Sequence, residues 1–272
     1  MNETTGAYTT QDGLALHTRT WTPDGEPDRG LLIVHGLGEH SGRWDHVGRF
    51  FADRGYAVAA FDLRGHGQSE GTRAYAGSFN DFVDDVQGIV ESGLVRRDIP
   101  WVLYGHSLGG LICTFYLAEE RPRPDAGVLS APALEADVPG VLRVAAQLLG
   151  RVTPKLAMAN SIDGDQLSRD EAVGEAYFAD PLVFTKATTR LGMETFAAQD
   201  RSREIIERID TPTLVIHGGD DPLVPPAASA PLAAVDSVER KVYPGLRHEM
   251  HNEPEQVQVL SEIAAWLDAT LA

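Results

Sequence analysis

Five residues, Gly105-His106-Ser107-Leu108-Gly109, restrict the fold of this chain more than any other stretch. They read Gly-x-Ser-x-Gly, and their surroundings give the pattern meaning. The apolar, aromatic-rich Trp101-Val102-Leu103-Tyr104 ahead of them predicts a strand. Behind them, Gly110 to Glu119 predicts a helix with Leu111, Phe115 and Ala118 on one face. A strand that turns sharply into a helix through a serine holds that serine in a strained conformation with its hydroxyl exposed. Side chains two residues to either side would clash, and glycine at 105 and 109 avoids this.

The remaining pattern agrees with a strand–helix alternation. Thr9 to Trp21 reads as strands around a turn at Gln11-Asp12-Gly13. Gly30 to His35 is a continuous apolar strand, as in a sheet covered on both faces. Further strands are predicted over Tyr56 to Phe61, Asp125 to Ser130, Thr213 to His217 and Arg240 to Tyr243. Helices are predicted over Arg43 to Gly55, Phe79 to Arg97, Ala227 to Val235 and Pro254 to Leu271. This implies an α/β fold with a mostly parallel central sheet and helices on both faces. Between Ser130 and Thr211 no convincing strand recurs, and Pro139 to Val152 is helical in pattern. Residues 133–205 therefore read as a helical cap over the sheet's C-terminal edge, between two core parts, 1–132 and 206–272.

At 272 residues and 43% hydrophobic content, the chain suits one large domain with such an insertion. No run of about 18 apolar residues is present to span a membrane. Met1-Asn2-Glu3-Thr4-Thr5 carries neither the basic cluster nor the apolar run of a secretory signal, so a cytoplasmic protein is expected. Cys113 is the single cysteine, which excludes an intramolecular disulfide and a thiolate metal site. A net charge of −17 argues against nucleic acid as a partner.

A serine hydroxyl needs a histidine to take its proton and a carboxylate to hold that histidine in the right tautomer. On an elbow fold the chain order is Ser, acid, His. His217 ends a strand and its neighbouring acids follow it, which is the wrong order. His248 follows the last predicted strand directly, and His251 is the reserve. The acid should lie in Gly218-Gly219-Asp220-Asp221, where spacing does not choose between the two aspartates. The oxyanion hole needs two backbone N–H groups, one from Leu108 and one from Leu37 in the loop His35-Gly36-Leu37-Gly38.

With these residues placed, the chain resembles the monoacylglycerol lipase family of α/β-hydrolases, with serine aminopeptidase and lysophospholipase-like relatives. The segments that carry the resemblance are residues 35–43 (HGLGEHSGR), 62–69 (DLRGHGQS), 105–110 (GHSLGG), Tyr177 with Asp180-Pro181-Leu182, 218–221 (GGDD) and 247–251 (RHEMH). The resemblance selects Asp221 as the acid. It also implies that Glu39, Arg43, Tyr177 and His251 bind the polar head of the substrate, a monoacylglycerol whose ester is cleaved through an acyl-enzyme without a cofactor. A broader carboxylesterase, a lysophospholipase or an aminopeptidase would use the same triad. The chain departs from its relatives at Trp44, where a smaller aromatic is often found, and in a weakly matching cap.

Other motifs carry less. His248-Glu249-Met250-His251 is one residue short of His-Glu-x-x-His, so no metal is expected there. Gly36-Leu37-Gly38 lacks the third glycine of a dinucleotide site. Arg64-Gly65-His66-Gly67 reads as a loop support beside the elbow. Within the cap, Val138 to Asn160 has no acidic residue but holds Arg143, Arg151 and Lys155. Val141, Leu142, Ala145, Leu148 and Leu149 fall on one helical face, either packed on the core or turned toward an anionic membrane as a peripheral contact.

Overall fold

The computed structural model describes every residue except 136, 137, 139, 160 and 161 and the side chain of Leu142. The expected helix start at Pro139 and the end of the acid-free stretch at Asn160 therefore lie outside the described residues. The strands are β1 (Asn2–Thr9), β2 (Ala15–Thr22), β3 (Arg29–Val34), β4 (Tyr56–Phe61), β5 (Trp101–His106), β6 (Ala126–Ser130), β7 (Ala157–Ala159), β8 (Lys186–Thr188), β9 (Thr213–Gly218) and β10 (Val238–Tyr243). The helices are α1 (Asp45–Ala52), α2 (Asn80–Glu91), α3 (Leu108–Ala118), α4 (Gly140–Val152), α5 (Gly164–Leu167), α6 (Glu171–Ala179), α7 (Thr189–Ile205) and α8 (Gln256–Thr270). Eight strands form one sheet in the order β1-β2-β4-β3-β5-β6-β9-β10. The β1–β2 and β2–β4 pairs are antiparallel, and every other pair is parallel.

The continuous apolar strands follow from two cores, one on each sheet face. Leu32, Val34, Leu103, Leu129 and Val215 pack with α2 and α3 on one side. Their immediate neighbours Leu31, Ile33, Val102, Val128, Leu214 and Ile216 pack with α1 and α8 on the other. Successive side chains of a strand point to opposite faces, so a strand covered twice has no polar position to spare.

Several expected elements are corrected. The chain begins with β1, a strand that polar Asn2–Thr9 did not announce. It lies at the sheet edge, exposed or half-buried throughout, so no face demands apolar residues. The long helix expected to Arg97 stops at Glu91, where Ser92 Oγ donates to Ile89 O at 2.7 Å and Gly93 adopts φ +88°. The helix expected from Arg43 opens as a 3-10 turn over Ser41–Trp44 before α1. The helix expected over Ala227 to Val235 is a 3-10 stretch, Pro226–Ala234, because Pro231 has no N–H to donate to a carbonyl one turn back. Strands do recur between Ser130 and Thr211. The three-residue β7 and β8 pair antiparallel apart from the main sheet, and they are too short to show a pattern.

All of α4 to α7 lies between β6 and β9. These elements are tied to the core by loop contacts: Phe184 N donates to Gly38 O (3.1 Å), Thr188 Oγ to Ala74 O (2.6 Å) and the Arg190 guanidinium to Gly77 O (2.6 and 2.8 Å). The apolar stripe of α4 divides. Ala145 and Leu149 are half-buried, whereas Val141 and Leu148 join Val144 and Val152 in an exposed row. Among the described residues no helix is long and apolar enough to cross a membrane.

Candidate active site

The C-terminal ends of β3, β5, β6, β9 and β10 bring the expected residues to one edge. Ser107 sits between β5 and α3 at φ +52°, ψ −115°, a region that residues with a side chain rarely occupy. Its N–H donates to Ser130 O at 2.9 Å, which pins the turn to β6. A methyl group on Gly109 would run into the carbonyl oxygens of Val34 and His35, and one on Gly105 into Gly109 O and Cys113 Sγ. The two glycines thus let α3 start in contact with the end of β3. Leu108 is the first residue of α3, so its N–H has no acceptor within the helix. Cys113 is buried in the core, and burial pushes its thiol pKa up, as for a packing residue.

Asp221 and His248 meet because two loops lie edge to edge. Gly219 N donates to Tyr243 O (2.7 Å) and Asp220 N to Leu246 O (3.0 Å), while Gly218 leaves no room for a side chain against Arg247 O. Asp220 points to solvent. Asp221 is buried and its Oδ1 accepts from the N–H groups of Leu223 (2.9 Å) and Val224 (3.0 Å). His248 Nδ1–H donates to Asp221 Oδ2 at 2.7 Å, which leaves the lone pair of the neutral ring on Nε2. His217 touches the same oxygen at 3.3 Å but donates to Val224 O at 2.9 Å and lies away from the cavity lining. Burial disfavours charge on His248, but Asp221 outweighs it and the pKa stands above the ordinary value. Burial would raise the Asp221 pKa, yet the imidazole of His248 and the hydrogen bonds from both rings and Val224 hold it well below the carboxylate range.

The loop after β3 is held by its own side chains. His35 Nδ1–H donates to Gly36 O (2.7 Å), and His35 Nε2 accepts from Leu63 N (2.9 Å). Gly38 takes φ +79°, where an added methyl would strike Phe184 O. Gly36 N donates to Glu39 Oε1 at 2.7 Å, so Glu39 shapes the loop. Ser107, Leu37, Glu39, His106, Tyr177 and His248 line one cavity together with Glu249, Leu167 and Val224. A larger surface groove beside Tyr116, Arg121 and Arg208 lies at the opposite sheet edge, and its described lining holds no serine, cysteine or histidine.

The four residues expected at the polar head are not equivalent. Glu39 and Tyr177 line the cavity; Arg43 and His251 stand behind it. The Arg43 guanidinium makes a bidentate pair with Glu249 (2.7 Å each), donates to Glu39 Oε2 (3.0 Å) and lies 4.8 Å from the Tyr177 ring centroid. His251 is fully buried and stacked on Trp44 at 3.9 Å between ring centroids, so Trp44 is its backing. Burial, then the neighbouring His106, presses the His251 pKa well below its ordinary value. Burial likewise takes His106 down to about 4.

Two residues of this site escaped the sequence reading. Glu249 was given no role, standing only within the matched 247–251 segment and a failed metal motif, although a carboxylate next to the base histidine was the available signal. Glu253 had no local signal. It is fully buried and accepts from Arg247 N (2.6 Å) and Arg169 N (3.1 Å), tying the His248 loop to the stretch between α5 and α6.

A family model described as serine aminopeptidase, S33, matches residues 25–255. The chain is 37% identical to a monoacylglycerol lipase of Mycolicibacterium smegmatis over 94% of its own length and 93% of the relative's. It is 34% identical to the monoglyceride lipase of Homo sapiens, covering 96% of this chain and 89% of that one. The crystal structure of a Paleococcus ferrophilus monoacylglycerol lipase superposes with a TM-score of 0.86 at 32% identity, covering 94% of this chain and 99% of the other.

Proposed function

We propose, from the premise that this chain belongs to the serine aminopeptidase S33 family of α/β-hydrolases, that it hydrolyses the ester bond of monoacylglycerols. The observation that carries the reading is the buried Asp221–His248 pair opening on the same cavity as the strained Ser107. Ser107 Oγ attacks the acyl carbonyl while His248 Nε2 takes its proton, and Asp221 stabilises the imidazolium that forms. The N–H groups of Leu37 and Leu108 stabilise the tetrahedral oxyanion. His248 then protonates the leaving glycerol oxygen. Water, activated by the same histidine, releases the fatty acid. Glu39 and Tyr177 meet the glycerol hydroxyls directly, whereas Arg43 and His251 support that wall from behind.

The test is fatty acid release from monooleoylglycerol, dioleoylglycerol and a lysophospholipid by wild type and Ser107→Ala. Release from the monoglyceride alone, lost in the variant, is expected. Wild-type activity confined to the other substrates would favour a broader carboxylesterase or lysophospholipase. Retained activity in Ser107→Ala would remove the nucleophile.

The exposed row Val141, Val144, Leu148 and Val152 on α4 continues in exposed Leu156 and Met158. This row, with exposed Arg151 and Lys155 beside it, serves as a peripheral membrane contact. Arg143 contributes less charge, because it pairs with Asp200 at 3.0 Å. Weaker sedimentation of Leu148→Ser/Arg151→Glu with anionic vesicles is expected; binding equal to wild type would discard the contact.

A further inference from the structure

The cavity wall that holds Glu39 and Tyr177, read above as the alcohol end, is acidic. Glu39 and Glu249 both line it, and its described lining holds no lysine or arginine. The cation behind this wall among the described residues, Arg43, is already committed. Glu249 grips it through two hydrogen bonds of 2.7 Å, Glu39 takes a third at 3.0 Å, and the Tyr177 ring lies against it. One guanidinium thus faces two carboxylates, and the surplus charge is negative. The pair is also rigid. Arg43 and Glu249 side chains are 11% and 3% exposed, and Asn252 Nδ2 donates to Glu249 Oε2 at 2.7 Å. Tyr177 Oη, buried in the same wall, has no hydrogen-bond partner among the described residues and remains available to a ligand hydroxyl.

Without Glu249, Arg43 would face a single carboxylate and offer its remaining fork to an oxyanion, the guanidinium's best-matched ligand. We propose that Glu249 determines head-group selectivity: by claiming Arg43 it makes the alcohol end accept uncharged or cationic heads and reject heads that carry phosphate. This rests on the ester-hydrolase reading above, but not on glycerol being the alcohol. A phosphate entering the wild-type site meets two carboxylates across a partly desolvated cavity, where like charges repel more strongly than in water.

The test uses three oleate esters below their aggregation concentrations: of glycerol, of choline and of glycerol 3-phosphate. For the wild type, kcat/KM for the glycerol and choline esters should exceed that for the phosphate ester by about 100-fold or more. Glu249→Gln should narrow that ratio by about tenfold, the scale set by removing one nearby buried charge. Equal use of the phosphate ester by wild type, or an unchanged ratio in the variant, overturns the inference. Cleavage of the choline ester but not the monoglyceride would instead refute glycerol as the alcohol, and the choline-to-phosphate ratio would still decide the role of Glu249. Should Glu249→Gln fail to melt cooperatively, Glu249→Asp keeps the charge but is one methylene too short to hold both guanidinium nitrogens, and a narrowing of the same ratio is required of it.

Discussion

Asp221 and Glu249 are both buried carboxylates at one cavity, yet they are held in opposite ways. Asp221 is fixed by backbone N–H groups of its own loop and faces an imidazole. Glu249 is fixed by side chains, Arg43 from far along the chain and Asn252 from its own turn, and faces a guanidinium. Burial opposes the charge on Glu249 as well, but Arg43 holds its carboxyl well below the usual range. The partners differ in what they can do. An imidazole gains and loses a proton during turnover, so a fixed carboxylate beside it can stabilise a charge that comes and goes. A guanidinium never releases its proton, so the carboxylate beside it makes a permanent electrostatic wall. On the proposed mechanism, the buried acid paired with a titratable base belongs to the chemistry, and the one paired with arginine to the shape and charge of the site.

The sharpest way to break this distinction is Asp221→Asn. It should lower kcat/KM by about 10⁴-fold, because an amide cannot hold the required tautomer. Its loss of stability should be smaller than that of the next variant. Arg43→Met should do the reverse at the level of the fold: by stranding Glu39 and Glu249 it should cost about 3–5 kcal/mol in chemical denaturation. If the two variants traded these phenotypes, the assignment of roles would be inverted.

A smaller effect concerns pH. On the proposed mechanism the active form of His248 is neutral, and its pKa is raised above the ordinary 6.5. kcat/KM should therefore rise with pH along a limb centred above 6.5 and level off once the ring is deprotonated. In Asp221→Asn the raising charge is gone while burial remains, so the limb of the residual activity should move to lower pH. A limb that stays in place would mean Asp221 does not set the base's pKa. The smallest effect is expected for Tyr177→Phe. Removing an unpartnered buried hydroxyl should change stability by less than about 1 kcal/mol. KM for the monoglyceride should rise a few-fold if the hydroxyl serves the ligand, and no change in KM would show that it does not.

Legibility in the sequence followed the same division. The elbow, the acid loop and the base loop lie in short segments whose neighbours set their conformation, so glycine placement and strand ends revealed them. The central strands were legible because two cores require unbroken apolar runs. Edge strand β1 was not legible, since it is exposed or half-buried throughout and needs no continuous apolar face, and three-residue β7 and β8 were too short to carry a period. At the site, Arg43 read as a ligand for substrate, but its partner Glu249 lies 206 residues away and claims it. The α4 stripe was legible only in part. Its apolar residues were visible, but which of them neighbouring elements cover was not.

By itself the sequence determined the strand–helix alternation, the strained serine and the Ser, Asp, His order, because each depends on backbone conformation and local spacing. Spacing left two aspartates open, the resemblance selected Asp221, and the structure buries that one beside His248; tertiary structure alone decided which of the head-end residues reach the cavity and where Arg43 spends its charge. Those outcomes depend on distances between segments far apart in the chain. They also depend on burial, which converts a charged side chain from a free donor into half of a fixed pair.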